Sequence, residues 1–136
     1  MASILKIDEL QGLTTTGDIT VTSEGGAATM QLQQGLAKMW VNMNGQGTIA
    51  TRDSLNVSGV TDNGTGNYTY ALSLSMSNAD YANTAMANEG NAGDVMIDDN
   101  NAVPTTSAIR VQARSYSGGT VQDPDFLYHT AFGDLA

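Results

Sequence analysis

The chain has 136 residues, enough for one domain with an arm, and lacks cysteine, which removes disulfides, thiolate chemistry and cysteine–zinc sites. Five Lys plus Arg against fourteen Asp plus Glu give a formal net charge of −9, so neither nucleic acid nor an anionic membrane is expected as a partner. Only 14% of the residues are charged, against roughly 25% in ordinary domains, and Thr, Ser, Asn and Gly must build the surface.

The opening residues, Met1-Ala2-Ser3-Ile4-Leu5-Lys6, carry no signal-peptide pattern, and no apolar run approaches the ~20 residues of a membrane span. The sequons at Asn56, Asn63 and Asn67 then read as accidents of an Asn-, Ser- and Thr-rich composition. Residues 1–26 hold two short extended pieces, Ile4–Leu10 and Asp18–Ser23, and end at Gly25-Gly26. They read as a docking arm too small to form a core. Residues 27–39 are the one helix candidate, with Leu32, Leu36 and Met39 at i, i+4, i+7 and Gly35 inside the segment. The plain role for that stripe is packing on its own sheet, and the sharper one is close approach of copies around an axis.

From 40 to 136 the hydrophobic period changes to 2. Trp40, Asn42 and Asn44 alternate with Met39, Val41 and Met43, and a second strand is expected at Thr48–Asp53. The firmest expectation is a hairpin over 55–76. Its turn is Thr61-Asp62-Asn63-Gly64-Thr65-Gly66, and Tyr68, Tyr70, Leu72, Leu74 and Met76 share one face. Residues 83–94, rich in Asn, Ala and Gly, read as a loop. Short strands follow at Val95–Asp98, Ala108–Tyr116 and Phe126–Phe132, with a loop at 117–125. Such spacing predicts an all-β antiparallel β-sandwich, jelly-roll-like, with an N-terminal extended arm and one short helix.

Candidates for chemistry are few. His129 is the only histidine, and it alternates with Phe126 and Tyr128, which makes an exposed position the simpler account. Asp98-Asp99 and Asp123 with Asp125 are the closest carboxylate pairs for glycosidase-like work, but both flank turns, where Asp bonds nearby amides. Asp62-Asn63-Gly64 lacks the closing ligands of a calcium loop. The chain is therefore expected not to be an enzyme and to need no metal or cofactor. Tyr68, Tyr70, Tyr81, Tyr116, Tyr128 and Trp40 form a candidate sugar-stacking set, although packing explains Tyr68 and Tyr70 more simply.

Three blocks stand in a familiar order: Lys38-Met39-Trp40-Val41-Asn42-Met43-Asn44-Gly45-Gln46-Gly47, Arg52-Asp53-Ser54-Leu55-Asn56-Val57-Ser58 and Thr61-Asp62-Asn63-Gly64-Thr65-Gly66-Asn67-Tyr68-Thr69. With Tyr81-Ala82 and the ending Phe132-Gly133-Asp134-Leu135-Ala136, they resemble a tail-fibre-like module of virion structural proteins from tailed phages of marine bacteria and cyanobacteria. Met43 stands where that family commonly has Phe, an exchange a core accepts. The resemblance implies a homotrimeric, β-rich, non-enzymatic module on the virion exterior. It makes Leu32, Leu36, Met39 and Trp40 the candidate subunit interface, with 27–39 as a trimer axis. Expected partners are the chain itself, other virion proteins of the tail or the major capsid shell, and a host-surface glycan or protein. Two roles follow, a fibre or host-attachment module and a capsid decoration (cement) protein. Loops 83–94 and 117–125 are the candidate recognition loops.

Overall fold

The structure is a computed structural model describing residues 5–12, 19–23, 25–26, 28–88, 94–98, 103–115 and 119–136, with 94–98 described as backbone. It divides into two compact units, Met1–Leu36 and Ala37–Ala136.

In the first unit, β1 (Thr20–Thr22) pairs antiparallel with β2 (Thr29–Gln31) around a turn at Gly25-Gly26. The Leu32 amide extends this ladder by donating to the Ile19 carbonyl at 2.7 Å. The expected helix over 27–39 does not form. Thr29–Gln31 are strand, Gln33–Gly35 make a single 3-10 turn, and Met39 already opens the next strand. Gly35 penalises a helix, no side chain caps the turn, and β1 offers the backbone a ladder instead. The arm piece Ile4–Leu10 shows no regular structure over 5–10, and Gly12–Gly17 lies largely outside the described residues.

The second unit is one eight-stranded antiparallel ladder. Its strands are β3 (Met39–Asn44), β4 (Ala50–Leu55), β5 (Val57–Asp62), β6 (Asn67–Leu72), β7 (Ala82–Asn88), β8 (Asp94–Asp98), β9 (Ala108–Ser115) and β10 (Phe126–Phe132). Their order is β4-β3-β10-β7-β8-β9-β6-β5. Strands β7, β8 and β9 run as a meander, with β10 returning beside β7 and β6 lying beside β9, two overlapping Greek keys. Eight strands and two Greek keys are the ingredients of a jelly roll. The fold is thus all-β and sandwich-like.

The ladder curls so that its two halves share one core. Met39, Val41 and Met43 of β3 and Leu127 and Ala131 of β10 join Tyr68, Tyr70, Ile109 and Val111 of β6 and β9. Tyr70 meets His129 ring to ring at 5.5 Å although three strands separate them in the ladder. The chain passes from one half to the other at Asn56, whose φ of 57° lies in the left-handed region that Asn tolerates. Its amide group accepts from the Leu74 amide at 2.6 Å and donates to the Leu74 carbonyl at 3.0 Å, which holds the corner.

The hairpin forms as expected, with Tyr68 and Tyr70 fully buried, but β6 stops at Leu72. Leu74 is exposed beside the Asn56 clasp, while Met76 is buried again through a bridge to Leu135. The segment expected as a loop from 83 is strand β7 up to Asn88, and 89–93 lie outside the described residues. Ala-Asn-Thr-Ala-Met-Ala-Asn has weak intrinsic strand preference, but β10 and β8 both pair with it, and that context prevails.

Candidate functional site

Strand β10 decides which side chains face out. Leu127, His129 and Ala131 are buried, so Phe126, Tyr128, Thr130 and Phe132 point to the outer face. The expected exposed position for His129 is overturned: its side chain is 3% exposed and lies in the core. Burial pulls its pKa down from 6.5 to about 4, so the ring is neutral near pH 7. Neither ring nitrogen has a hydrogen-bond partner, nor does the neighbouring Tyr70 hydroxyl. Burial likewise raises the pKa of Tyr70, Tyr68 and Tyr81. An imidazole sealed in this way has no route to a substrate.

The carboxylates hold the fold. Asp123 accepts from the Gly66 amide at 2.6 Å and from the Tyr68 hydroxyl at 2.7 Å, tying the last loop to the hairpin turn. Asp125 pairs with Arg52 at 3.0 Å. Asp62 accepts from the Gly64 amide at 2.8 Å, the turn role that its sequence position suggests. Asp98 sits in β8, and Asp99 lies outside the described residues. Among the described residues, no group of three acidic or histidine side chains is placed to hold a metal ion.

The aromatic candidates separate by face. Tyr68, Tyr70 and Tyr81 are buried, with the Tyr81 hydroxyl donating to the Thr105 carbonyl at 2.9 Å. Tyr116 lies outside the described residues. Trp40 and Tyr128 come together on the outer face of the β4-β3-β10-β7 half. There the ladder places Trp40 opposite Leu55 and Thr130, and Tyr128 opposite Asn42 and Met86. Phe126 stacks near-parallel on Tyr128, centroids 6.1 Å apart, and the Arg52 guanidinium lies 4.1 Å above the Phe126 ring. Arg52 is fixed there by donating to the Met43 carbonyl at 2.9 Å as well as to Asp125. It can reach both because the β3–β4 register shifts beside it, a bulge that re-aims one side chain.

This face exposes Met86 at 68%, Leu55 at 46%, Tyr128 at 41% and Phe132 at 37%. Both phenylalanines of the chain and its only tryptophan point to it. The positions of β6 and β9 that alternate with their core side chains are instead polar: Asn67 and Gln112, both buried, half-buried Thr69 and exposed Arg110. Among the described residues, this face is an exposed apolar patch carried by neighbouring strands of the sheet.

The expected interface set divides between the two units, Leu32 and Leu36 in the first and Met39 and Trp40 in the second. Met39 is fully buried in the core, whereas Trp40 beside it faces outward. Leu36 is exposed and Leu32 half-buried, and both belong to the first unit, without the helical stripe that would have joined them to Met39. Sequence reasoning named Tyr128 only within the sugar-stacking set and missed Phe126, Phe132, Met86 and Leu55. Both sides of β10 read as apolar, and bulk alone assigned the wrong one to the interior.

No family model, curated protein or solved structure matches the chain.

Proposed function

We propose that this chain is a structural protein of the tailed-phage virion exterior, a homotrimeric fibre or host-attachment module that works through its surfaces without catalysis. The observation that carries this reading is what the phage-like blocks do in the fold. Trp40 is presented outward from β3, Arg52 clamps the last strand, Asn56 turns the chain between halves, and Asp62 to Gly66 close the hairpin. Every block serves architecture, which is the division of labour expected of a module that assembles. Residues 5–12 extend without regular structure and expose Leu5, Ile7 and Leu10, as suits an arm that docks on another virion protein by strand addition.

The test is a copy count by quantitative mass spectrometry on purified particles of a phage that encodes the chain. Tens of copies per particle are expected for a tail appendage. Hundreds would transfer the proposal to capsid decoration, and absence from the particles would end it.

A further inference from the structure

We propose that the outer face of β4-β3-β10-β7 is where copies of this chain meet, with Trp40, Tyr128, Met86 and Phe132 of each copy turned toward a shared axis. The proposal rests on the homotrimeric part of the reading above and replaces the 27–39 stripe as its interface.

Composition selects the occupant. Interface centres are enriched in aromatic residues, Met and Arg and depleted in Lys and Glu. Among the described residues, this face holds Trp40, Phe126, Tyr128, Phe132, Met86 and Arg52 and neither Lys nor Glu. A sugar ligand needs open ring faces and polar partners around them. Here Arg52 covers Phe126, Phe126 stacks on Tyr128, and the most exposed members, Met86 and Leu55, are not aromatic. Those features suit another apolar face better than a hydroxylated ring.

Charge points the same way. Copies carrying a net charge of −9 repel one another, so they approach best where little of that charge is displayed. Arg52 and Asp125 neutralise each other at the rim of the face. Among the described residues of this face, Asp53 is the remaining acidic group, and its carboxylate accepts from the Ser54 amide at 2.8 Å. Outward-facing aromatics on a sheet are otherwise a solubility liability, which burial against a second copy removes.

Sedimentation of the full chain with Met86→Glu, Tyr128→Glu and Leu36→Asp tests this, with circular dichroism checking that each variant keeps its strand signal. Wild type and Leu36→Asp should sediment as trimers, and the two face variants should self-associate ~30-fold more weakly or worse. Oxidation of the Met86 thioether in wild type should slow as protein concentration rises, a readout independent of any variant. Trimers retained in both folded face variants, or Met86 oxidation insensitive to concentration, would overturn the proposal. A wild-type monomer at high concentration would overturn it together with the homotrimer. A trimer that is absent from purified particles would keep this face and remove the virion reading instead.

Discussion

His129 sits edge-on to Tyr70 across the core, ring centroids 5.5 Å apart at an interplanar angle of 65°. The contact bridges the two halves of the ladder, and it places two polar groups without hydrogen-bond partners in an apolar interior. Such groups are costly to bury, and the imidazole becomes far more costly if it takes a proton.

Acid should therefore act through His129. Its folded pKa, about 4, lies below the unfolded 6.5, so the unfolded chain binds the proton more readily. The stabilising effect of keeping the ring neutral is fully present above pH 6.5 and is lost as pH falls toward 4. At ~1.4 kcal/mol per unit the loss is of order 3 kcal/mol. Urea unfolding at pH 7 and pH 4.5 should show it, and His129→Leu should flatten that dependence. An unchanged slope in the Leu variant would place the acid sensitivity elsewhere.

Asp123 should matter to stability well beyond an ordinary loop carboxylate. Its oxygen receives both the Gly66 amide and the Tyr68 hydroxyl, so Asp123→Ala strips an acceptor from two donors at once. Hydrogen bonds to a charged partner contribute about 1.5–3 kcal/mol, and the Ala variant should lose at least that much. Tyr68→Phe should cost about 1 kcal/mol, because Asp123 keeps the Gly66 amide. Denaturant midpoints compare the two variants directly, and equal midpoints would contradict the shared-acceptor account.

Gly66 and Gly47 separate backbone conformation from space. Their φ angles are nearly the same, 62° and 63°. A Cβ at Gly47 meets nothing within 4 Å, whereas at Gly66 it falls 2.5 Å from the Gln122 carbonyl oxygen and 2.8 Å from that of Ala113. Gly47→Ala should cost about 1–2 kcal/mol for the left-handed backbone alone. Gly66→Ala should cost clearly more, because two of the three obstructing atoms are backbone, the third being Val121 Cγ1 at 2.8 Å, and the Ala113 amide donates to the Gly66 carbonyl at 2.7 Å. Thermal unfolding of the pair measures the difference.

The alternating strands were legible wherever one side of the chain was unmistakably apolar. Met39, Val41 and Met43, and likewise Ile109, Val111 and Ala113, face inward as their period implies. Where both sides of a strand are apolar, the period carries no sign. In β10 the bulky residues lie outside, because the tyrosines of β6 already fill the shared core and leave small Ala131 and Ala87 as their companions there. Strand β7 was invisible because its stability comes from neighbours on both sides, not from its own residues. The 27–39 stripe misled because a 3.6 period in so short a segment does not outweigh Gly35 and a competing ladder. The aromatic face could be found only once Trp40, Met86 and Tyr128, far apart in the chain, were placed on adjacent strands.

Met39 and Trp40, adjacent in β3 and opposite in direction, should divide stability from assembly. Met39 is fully buried, so Met39→Ala removes core packing and should cost about 2–5 kcal/mol of unfolding free energy. Trp40→Ala removes a half-exposed ring from the outer face and should cost the isolated fold much less. Its larger effect should appear in self-association, where an aromatic at the centre of a contact commonly contributes 2 kcal/mol or more. Denaturation at low protein concentration isolates the first quantity, and sedimentation at high concentration reads the second. The two variants should rank in opposite order in the two measurements. The same order in both would mean that Trp40 acts as a core residue and that the outer face has no part in assembly.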